Sequence, residues 1–183
     1  MPSPLKLGAF ELSSPKIIVM DPGYSMDTAR LPGGGRIVSR CRLGRWNVEL
    51  MPELEPRQRK WLVPRTLITS EESCMLAQGR GRWHRIAKDI GSDGGVIGVY
   101  DLAHFQDGSV VPLGQKPLVD SWSEDPAMLW YSMNCDAVQG KLASVVAHGA
   151  VVHWDGCMSV DVRRVGGEIV GLKLSISGWP DSI

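Results

Sequence analysis

Short apolar runs, separated by glycine, proline and acidic residues, recur along the whole chain. Residues 16–20 form one continuous run, Lys-Ile-Ile-Val-Met, which is typical of a buried strand, and Asp21-Pro22-Gly23-Tyr24 ends this strand in a turn. Trp46, Val48 and Leu50 alternate with polar residues, which predicts a strand with one buried face. The repetition of such short runs favours a protein built mainly of antiparallel strands.

Further strands are predicted at Ile37 to Arg42, Trp46 to Met51, Trp61 to Thr69 and Val96 to Tyr100. The first two are expected to pair as a hairpin around Leu43-Gly44-Arg45. Pro64 has no N–H to donate, so its strand is expected at a sheet edge or at a bulge. The strand Val96 to Tyr100 is preceded by the turn Ser92-Asp93-Gly94-Gly95.

The C-terminal third predicts a three-stranded antiparallel meander from about Ala143 to Ser177. Asp155-Gly156 is suited to a two-residue hairpin turn, which would pair His153 with Met158. This register places the apolar residues of both strands on one face.

The second turn of the meander contains Gly166 and Gly167. A two-residue turn there would place Val162 opposite Gly171 and would mix the two faces of the sheet. A three-residue turn that includes Val165 would instead pair Val162 with Val170 and keep the apolar residues together. The odd-length turn is therefore predicted.

Two short helices are predicted, one at Ser70 to Gln78 and one at Pro126 to Asp136 with Asp125 as its N-cap. The second helix has apolar residues on several sides, so it is expected to lie across a sheet. Long loops are expected at Pro52 to Arg59 and Phe105 to Asp125, and shorter ones at Leu31 to Arg36 and Arg80 to Arg85. The predicted fold class is α+β and mainly β, with residues 1–183 as a single domain.

Charge and cysteine usage narrow the classes of partner. The chain has 20 basic and 20 acidic residues and no long run of like charge, which disfavours nucleic acid and anionic membranes as partners. The 4 cysteines lie far apart, without a Cys-x-x-Cys pair, and no apolar segment of about 20 residues is present. The N-terminal residues also lack the apolar segment of a signal peptide, so a cytoplasmic protein is expected.

The candidate binding residues lie in glycine-rich turns that follow or precede predicted strands. They are Asp21, Tyr24, Asp93, Gly95, Asp101 and Asp155. Acids in such turns can bind a partner, but a turn alone also explains them, because aspartate and glycine favour turns. The oxygen spacing of a calcium loop is missing, and so are the common hydrolase, zinc-enzyme and dinucleotide motifs. No catalytic residue, metal ligand or cofactor is therefore predicted.

Several short motifs together resemble those of the bacterial proteins grouped as domain of unknown function 4241. In order, they are Asp21-Pro22-Gly23-Tyr24, Gly44-Arg45-Trp46-Asn47, Ser92-Asp93-Gly94-Gly95 with Gly98 and Asp101, Trp154-Asp155-Gly156, and Gly167-Glu168-Ile169-Val170. The chain departs from the family pattern at Gly23, Gly94, Trp154 and Met158 or Ser159. The resemblance implies a β-rich cytoplasmic bacterial domain and transfers no catalytic residue to this chain.

Two functional hypotheses remain open. The first is a non-catalytic binding protein of bacterial or phage origin, of the immunity or antitoxin kind, which captures another protein on its acid-bearing turns. The alternative is a small hydrolase or small-molecule-modifying enzyme that uses clustered aspartates, with or without a divalent metal. The enzyme requires the carboxylates of Asp21, Asp93 and Asp155 to converge in space. The oligomeric state is not predicted.

Overall fold

The computed structural model describes residues 5–25, 34–54, 62–70, 82–106 and 126–176. The strands are β1 (Leu5–Leu12), β2 (Lys16–Met20), β3 (Arg36–Ser39), β4 (Gly44–Leu54), β5 (Leu62–Ser70), β6 (Trp83–Ser92), β7 (Val96–Asp101), β8 (Ala143–Val146), β9 (Gly149–His153), β10 (Gly156–Val165) and β11 (Glu168–Ile176). One α-helix, α1, spans Pro126–Val138, and a 3-10 turn spans Leu102–His104. The mainly β fold with antiparallel sheets is confirmed.

The strands form two antiparallel sheets. The 6-stranded sheet has the order β1-β4-β5-β11-β10-β6, and the 5-stranded sheet has the order β3-β2-β7-β9-β8. Strand β2 has two buried faces, because Ile17 and Val19 belong to the main core whereas Ile18 and Met20 belong to a second apolar cluster. This double burial accounts for the continuous apolar run at residues 16–20.

Helix α1 covers the second face of the 5-stranded sheet. Its residues Trp130 and Val138 pack in one apolar cluster with Met20, Tyr100 and Val151 from that sheet. The prediction of a helix lying across a sheet is therefore confirmed, while its N-cap at Asp125 lies outside the described residues. The fold thus has three layers, namely sheet, sheet and helix.

The predicted hairpin between residues 37–42 and 46–51 is wrong, although both strands exist. Strand β3 pairs with β2 in one sheet, whereas β4 pairs with β1 and β5 in the other. The chain changes sheets between them, with positive φ values at Arg40 (64°) and Gly44 (99°). Trp46, Val48 and Leu50 are buried on one face as predicted. Alternation identifies the buried face of a strand but does not select its partner.

The last two strands of the chain, β10 and β11, pair antiparallel as predicted, and β5 and β6 are their other neighbours in the 6-stranded sheet. The predicted hairpin at Asp155-Gly156, however, is wrong. Strand β9 pairs with β7 and β8, while β10 pairs with β6 and β11, so the chain passes from one sheet to the other at Trp154 and Asp155.

The turn between β10 and β11 has two residues rather than the predicted three. Val165 pairs with Glu168 across Gly166 and Gly167, whose φ values of 60° and 87° suit a type I′ turn. A register shift after Arg163 then places Val162 opposite Leu172 instead of Val170. The bulge restores the common apolar face that an odd-length turn was expected to provide.

Strand β5 is central, which corrects its predicted edge position. Its ladder with β11 runs only from Thr66 to Thr69, so Pro64 lies beyond it and pairs only with β4. Proline is tolerated at that position because no second strand needs its missing N–H. Pro52 to Leu54, predicted as loop, belong to β4.

Several other predictions lie outside the described residues. They are the helix at 70–78 apart from Ser70, which ends β5, the first half of the loop at 31–36, and most of the loops at 52–59 and 105–125. In the described part of the chain, no helix is long and apolar enough to cross a membrane.

Candidate functional site

The turn after β2 and the turn before β7 lie side by side, because these two strands pair antiparallel with Met20 opposite Gly98. The Asp21 carboxylate, only 1% exposed, links the two turns. It accepts hydrogen bonds from Gly23 N at 2.8 Å, from Ser92 Oγ at 2.7 Å and from Gly94 N at 3.2 Å. Asp21 is therefore a buried acceptor that holds both turns together.

Ser92 extends this network into strand β7. Its Oγ donates to Asp21 and accepts a hydrogen bond from Val96 N at 2.9 Å. Gly95, between Ser92 and Val96, has a φ of +72°, a conformation that glycine adopts without strain. The turn at 92–95 is thus restrained at its beginning and at its end.

Tyr24 and Asp93 form a second link on the outer side of the same turns. Asp93 is exposed, and the Tyr24 side chain hydrogen-bonds to it. Burial, this hydrogen bond and the charges of Asp93 and Asp21 raise the pKa of Tyr24 to about 12. Tyr24 therefore stays protonated at neutral pH and acts as a donor to Asp93. The Gln106 side-chain amide donates to the Tyr24 carbonyl oxygen at 2.8 Å and holds the backbone of this turn.

Tyr131 of helix α1 covers both turns. A Cβ atom at Gly94 would overlap the Tyr131 hydroxyl, and one at Gly23 would lie 3.1 Å from the Tyr131 ring. These two glycines therefore make room for an aromatic side chain of the protein itself. A hydrogen bond with Cys135, burial and the nearby charge of Asp21 raise the pKa of Tyr131 to about 12.

The turn between β9 and β10 lies next to the turn before β7. Trp154 N donates to the Gly95 carbonyl oxygen at 2.9 Å, and Asp155 is exposed. Residues 21–24, 92–95 and 153–156, together with Tyr131, are called the three-turn rim from here on. The structure thus brings Asp21, Tyr24, Asp93, Gly95 and Asp155 to one end of the 5-stranded sheet.

Asp101 does not belong to this rim, which corrects its grouping with the other acids. It lies opposite Ile17, at the other end of the antiparallel pair, roughly 13 Å along the strand from Asp21 at about 3.4 Å per residue. Its Oδ2 accepts from Ser13 N at 2.7 Å and from Ser13 Oγ at 2.6 Å, and its Oδ1 accepts from Ala103 N at 3.0 Å. The Ser14 hydroxyl also donates to Asp101.

A further buried carboxylate, Asp161 on β10, lies away from the rim. It pairs with Arg85 at 3.0 Å and with Lys173 at 3.0 Å. Lys173 also lies 5.6 Å from the Trp83 ring centroid. Trp83 and Arg85 belong to β6, so the predicted solvated loop at 80–85 is wrong for these residues, because they pair with β10.

Acid is expected to destabilise the protein through Asp101 and Asp161. Burial tends to raise the pKa of each, but hydrogen bonds from Ser13 and Ser14 to Asp101, and from Arg85 and Lys173 to Asp161, lower both pKa values from the ordinary value of an aspartate. A carboxyl whose pKa is lower in the folded state stabilises the fold above its unfolded pKa and loses this contribution as pH falls.

The measurement is urea unfolding from pH 6 to pH 2.5. The free energy of unfolding should fall below about pH 4, the ordinary range of these carboxyls. Asp161→Asn should show a smaller fall than the wild type, since one of the two groups no longer titrates. Equal pH dependence in both proteins would contradict a role for Asp161.

The acids of the rim differ in how far the protein itself occupies their carboxylates. Both oxygens of Asp21 are occupied by donors of the protein, so this carboxylate is poorly placed to act as a base or a metal ligand. Within the described ranges, no three His, Cys, Asp or Glu side chains are grouped so that they could hold a metal ion. The rim exposes two acids, Asp93 and Asp155, beside half-buried aromatic rings.

The sequence interpretation missed Ser92, Gln106 and Tyr131. The one available signal for Ser92 was its position directly before Asp93, where a serine hydroxyl can hydrogen-bond to a neighbouring turn. Tyr131 and Gln106 carry no local signal, because they reach the rim through the packing of α1 and of the segment after β7.

Comparison of the chain with protein-family models, with curated proteins and with solved structures found no match. The resemblance of the short motifs to domain of unknown function 4241 is therefore still a prediction.

Proposed function

We propose that this chain is a non-catalytic binding protein, of the bacterial or phage immunity or antitoxin kind, that captures another protein at the three-turn rim. The observation that carries the proposal is the division of the rim acids into two groups. Asp21 is buried and accepts three hydrogen bonds from the protein, whereas Asp93 and Asp155 are exposed. Asp21 thus holds the turns in place, and Asp93 and Asp155 place negative charge on the surface.

The aromatic residues of the rim support protein binding. Tyr24, Tyr131 and Trp154 are all partly exposed. Tyrosine and tryptophan are enriched among the residues that contribute most to the affinity of protein complexes, because they combine a large apolar area with a polar atom. Rings of this kind beside exposed carboxylates suit a partner with a basic surface that also contains apolar side chains.

The rigidity of the rim also favours binding. Asp21 and Ser92 hold the first two turns together, and the hydrogen bond from Trp154 N to the Gly95 carbonyl oxygen attaches the third. Ordering loops on binding costs free energy, so a surface that is already ordered loses less affinity when a partner binds.

The test is association with the product of the adjacent gene, measured by surface plasmon resonance. The wild type should bind, and the double variant Asp93→Asn, Asp155→Asn should associate about 10-fold more slowly at low salt, since exposed charges act mainly on the association rate. Trp154→Ala should raise Kd about 10-fold or more through faster dissociation, as expected for an aromatic anchor.

Glu11→Gln serves as the control, because Glu11 is exposed on β1, a strand of the other sheet. Its binding kinetics should match those of the wild type. The proposal would be wrong if the rim variants bound as tightly and as fast as the wild type, or if the two proteins did not associate. A substrate that the protein turns over, with turnover abolished by Asp93→Ala, would favour the enzyme instead.

A further inference from the structure

The backbone of Gln106, two residues after the 3-10 turn, is left-handed, with a φ of 59°. A positive φ is uncommon for residues other than glycine, and asparagine and aspartate tolerate it better than glutamine does. A strained conformation of this kind persists only where the surrounding structure holds it in place. The contacts on both sides of Gln106 show what this conformation achieves.

Two sets of contacts fix Gln106. The preceding residue, Phe105, packs in the layer between α1 and the 5-stranded sheet, with its ring 5.6 Å from that of Tyr100 and 6.3 Å from that of Trp130. The Gln106 side-chain amide donates to the Tyr24 carbonyl oxygen at 2.8 Å and lies 3.5 Å from the Pro22 carbonyl oxygen. The left-handed backbone thus lets the chain pass from the apolar layer to the turn at residues 21–24.

Tyr24 is the residue through which this contact reaches the surface of the rim. Its ring packs against the second apolar cluster, and its side chain hydrogen-bonds to the exposed Asp93. Its backbone N–H donates to the Asp21 carbonyl oxygen at 3.1 Å, and its own carbonyl oxygen accepts from Gln106. Gln106, Tyr24 and Asp93 therefore form one chain of contacts that ends at an acid of the rim.

We infer that Gln106 is a positioning residue of the three-turn rim, whose amide fixes Tyr24 so that Tyr24 in turn fixes the direction of the Asp93 carboxylate toward the partner. The inference rests on the proposed function, since the direction of Asp93 matters only if a partner meets it. A side chain that is already ordered loses less entropy on binding, and an oriented carboxylate meets a basic group in one geometry. The amide of glutamine spans the distance to Tyr24, which compensates for the strain in its backbone.

The first measurement uses the protein alone and follows the Tyr24 phenol by ¹³C NMR of its Cζ atom, assigned with Tyr24→Phe. Burial and the hydrogen bond to Asp93 raise the pKa of Tyr24 to about 12, so the wild type should still show the phenol at about pH 10.5. Gln106→Gly keeps the left-handed backbone without strain but lacks the amide. Its Tyr24 should be partly ionised at the same pH, as it should be in Asp93→Asn. A loss of stability alone would leave this signal unchanged.

The second measurement is binding to the product of the adjacent gene by surface plasmon resonance. Gln106→Gly should bind about 5-fold more weakly than the wild type. Its Tm should stay within about 3 °C of the wild type, because relief of the backbone strain offsets the lost hydrogen bond.

Arg40→Gly is the matched control, because Arg40 also has a left-handed backbone, with a φ of 64°, and follows β3 at the end of the 5-stranded sheet away from the rim. It should leave both the Tyr24 signal and the binding unchanged. The inference is overturned if Gln106→Gly shows the wild-type Tyr24 signal, or if it binds the partner as Arg40→Gly does. Unchanged binding by the double variant Asp93→Asn, Asp155→Asn would instead overturn the proposed function on which the inference rests.

Discussion

Gly149→Ala is expected to lower the free energy of unfolding by about 3 kcal/mol or more. Gly149 begins β9 and pairs with Tyr100 of the central strand β7, and a Cβ atom there would overlap the Val99 carbonyl oxygen. That oxygen is a backbone atom between two paired strands, so the clash cannot be relieved by rotating a side chain. Urea unfolding at neutral pH measures the loss.

Ser144→Ala is the matched control, since Ser144 is partly exposed on the neighbouring edge strand β8. Its unfolding free energy should stay within about 0.5 kcal/mol of the wild type. A Gly149→Ala protein with nearly wild-type stability would show that β7 and β9 separate more easily than this close contact indicates.

Asp21→Ala is expected to cost about 3 kcal/mol and to lower Tm by about 6–12 °C. The substitution leaves Gly23 N, Ser92 Oγ and Gly94 N without their acceptor, in a position where the carboxylate itself is 1% exposed. Asp21→Asn should also destabilise, because its amide nitrogen would face a donor. Differential scanning calorimetry provides the measurement.

Asp155→Ala is the control for this prediction, because Asp155 is an exposed acid of the same rim. It should change the unfolding free energy by less than about 0.5 kcal/mol. Equal destabilisation by the two substitutions would mean that Asp21 does not have the special structural role assigned to it.

Local sequence patterns predicted the strands and the helix of this fold well where the pattern depends only on which residues are buried. The apolar run at 16–20, the alternation of Trp46, Val48 and Leu50, and the proline at the start of α1 each correspond to an observed element. These signals are strong because the period of buried positions differs between strands and helices. They carry no information about which strands become neighbours.

Strand pairing was the main point at which sequence interpretation failed. The pairs β3 with β4 and β9 with β10 are adjacent in the chain, yet each pair is divided between the two sheets. A short connection can close a hairpin or cross a sandwich, and the residues at Trp154 and Asp155 suit both. The main core, which lies between the sheets, decides the outcome through contacts between residues far apart in the chain.

In the candidate site, too, the sequence predicted local features, while the tertiary structure decided which residues lie together. The sequence identified four aspartates beside strands, but their grouping depended on strand direction. Antiparallel pairing of β2 with β7 places Asp21 near Asp93 and moves Asp101 to the other end. Tyr131 joins the rim only because α1 packs on this sheet.

By itself, the sequence determined a mainly β protein, the buried faces of its strands, a helix at 126–136 and the acid-bearing turns, because burial and turn formation depend on residues that are close in the chain. Only the tertiary structure decided which strands are neighbours, which acids share a rim, and that Asp21 is a buried acceptor while Asp93 and Asp155 are exposed. These properties depend on packing between residues that are far apart in the chain. A local pattern is compatible with several such packings, whereas the complete core is compatible with one.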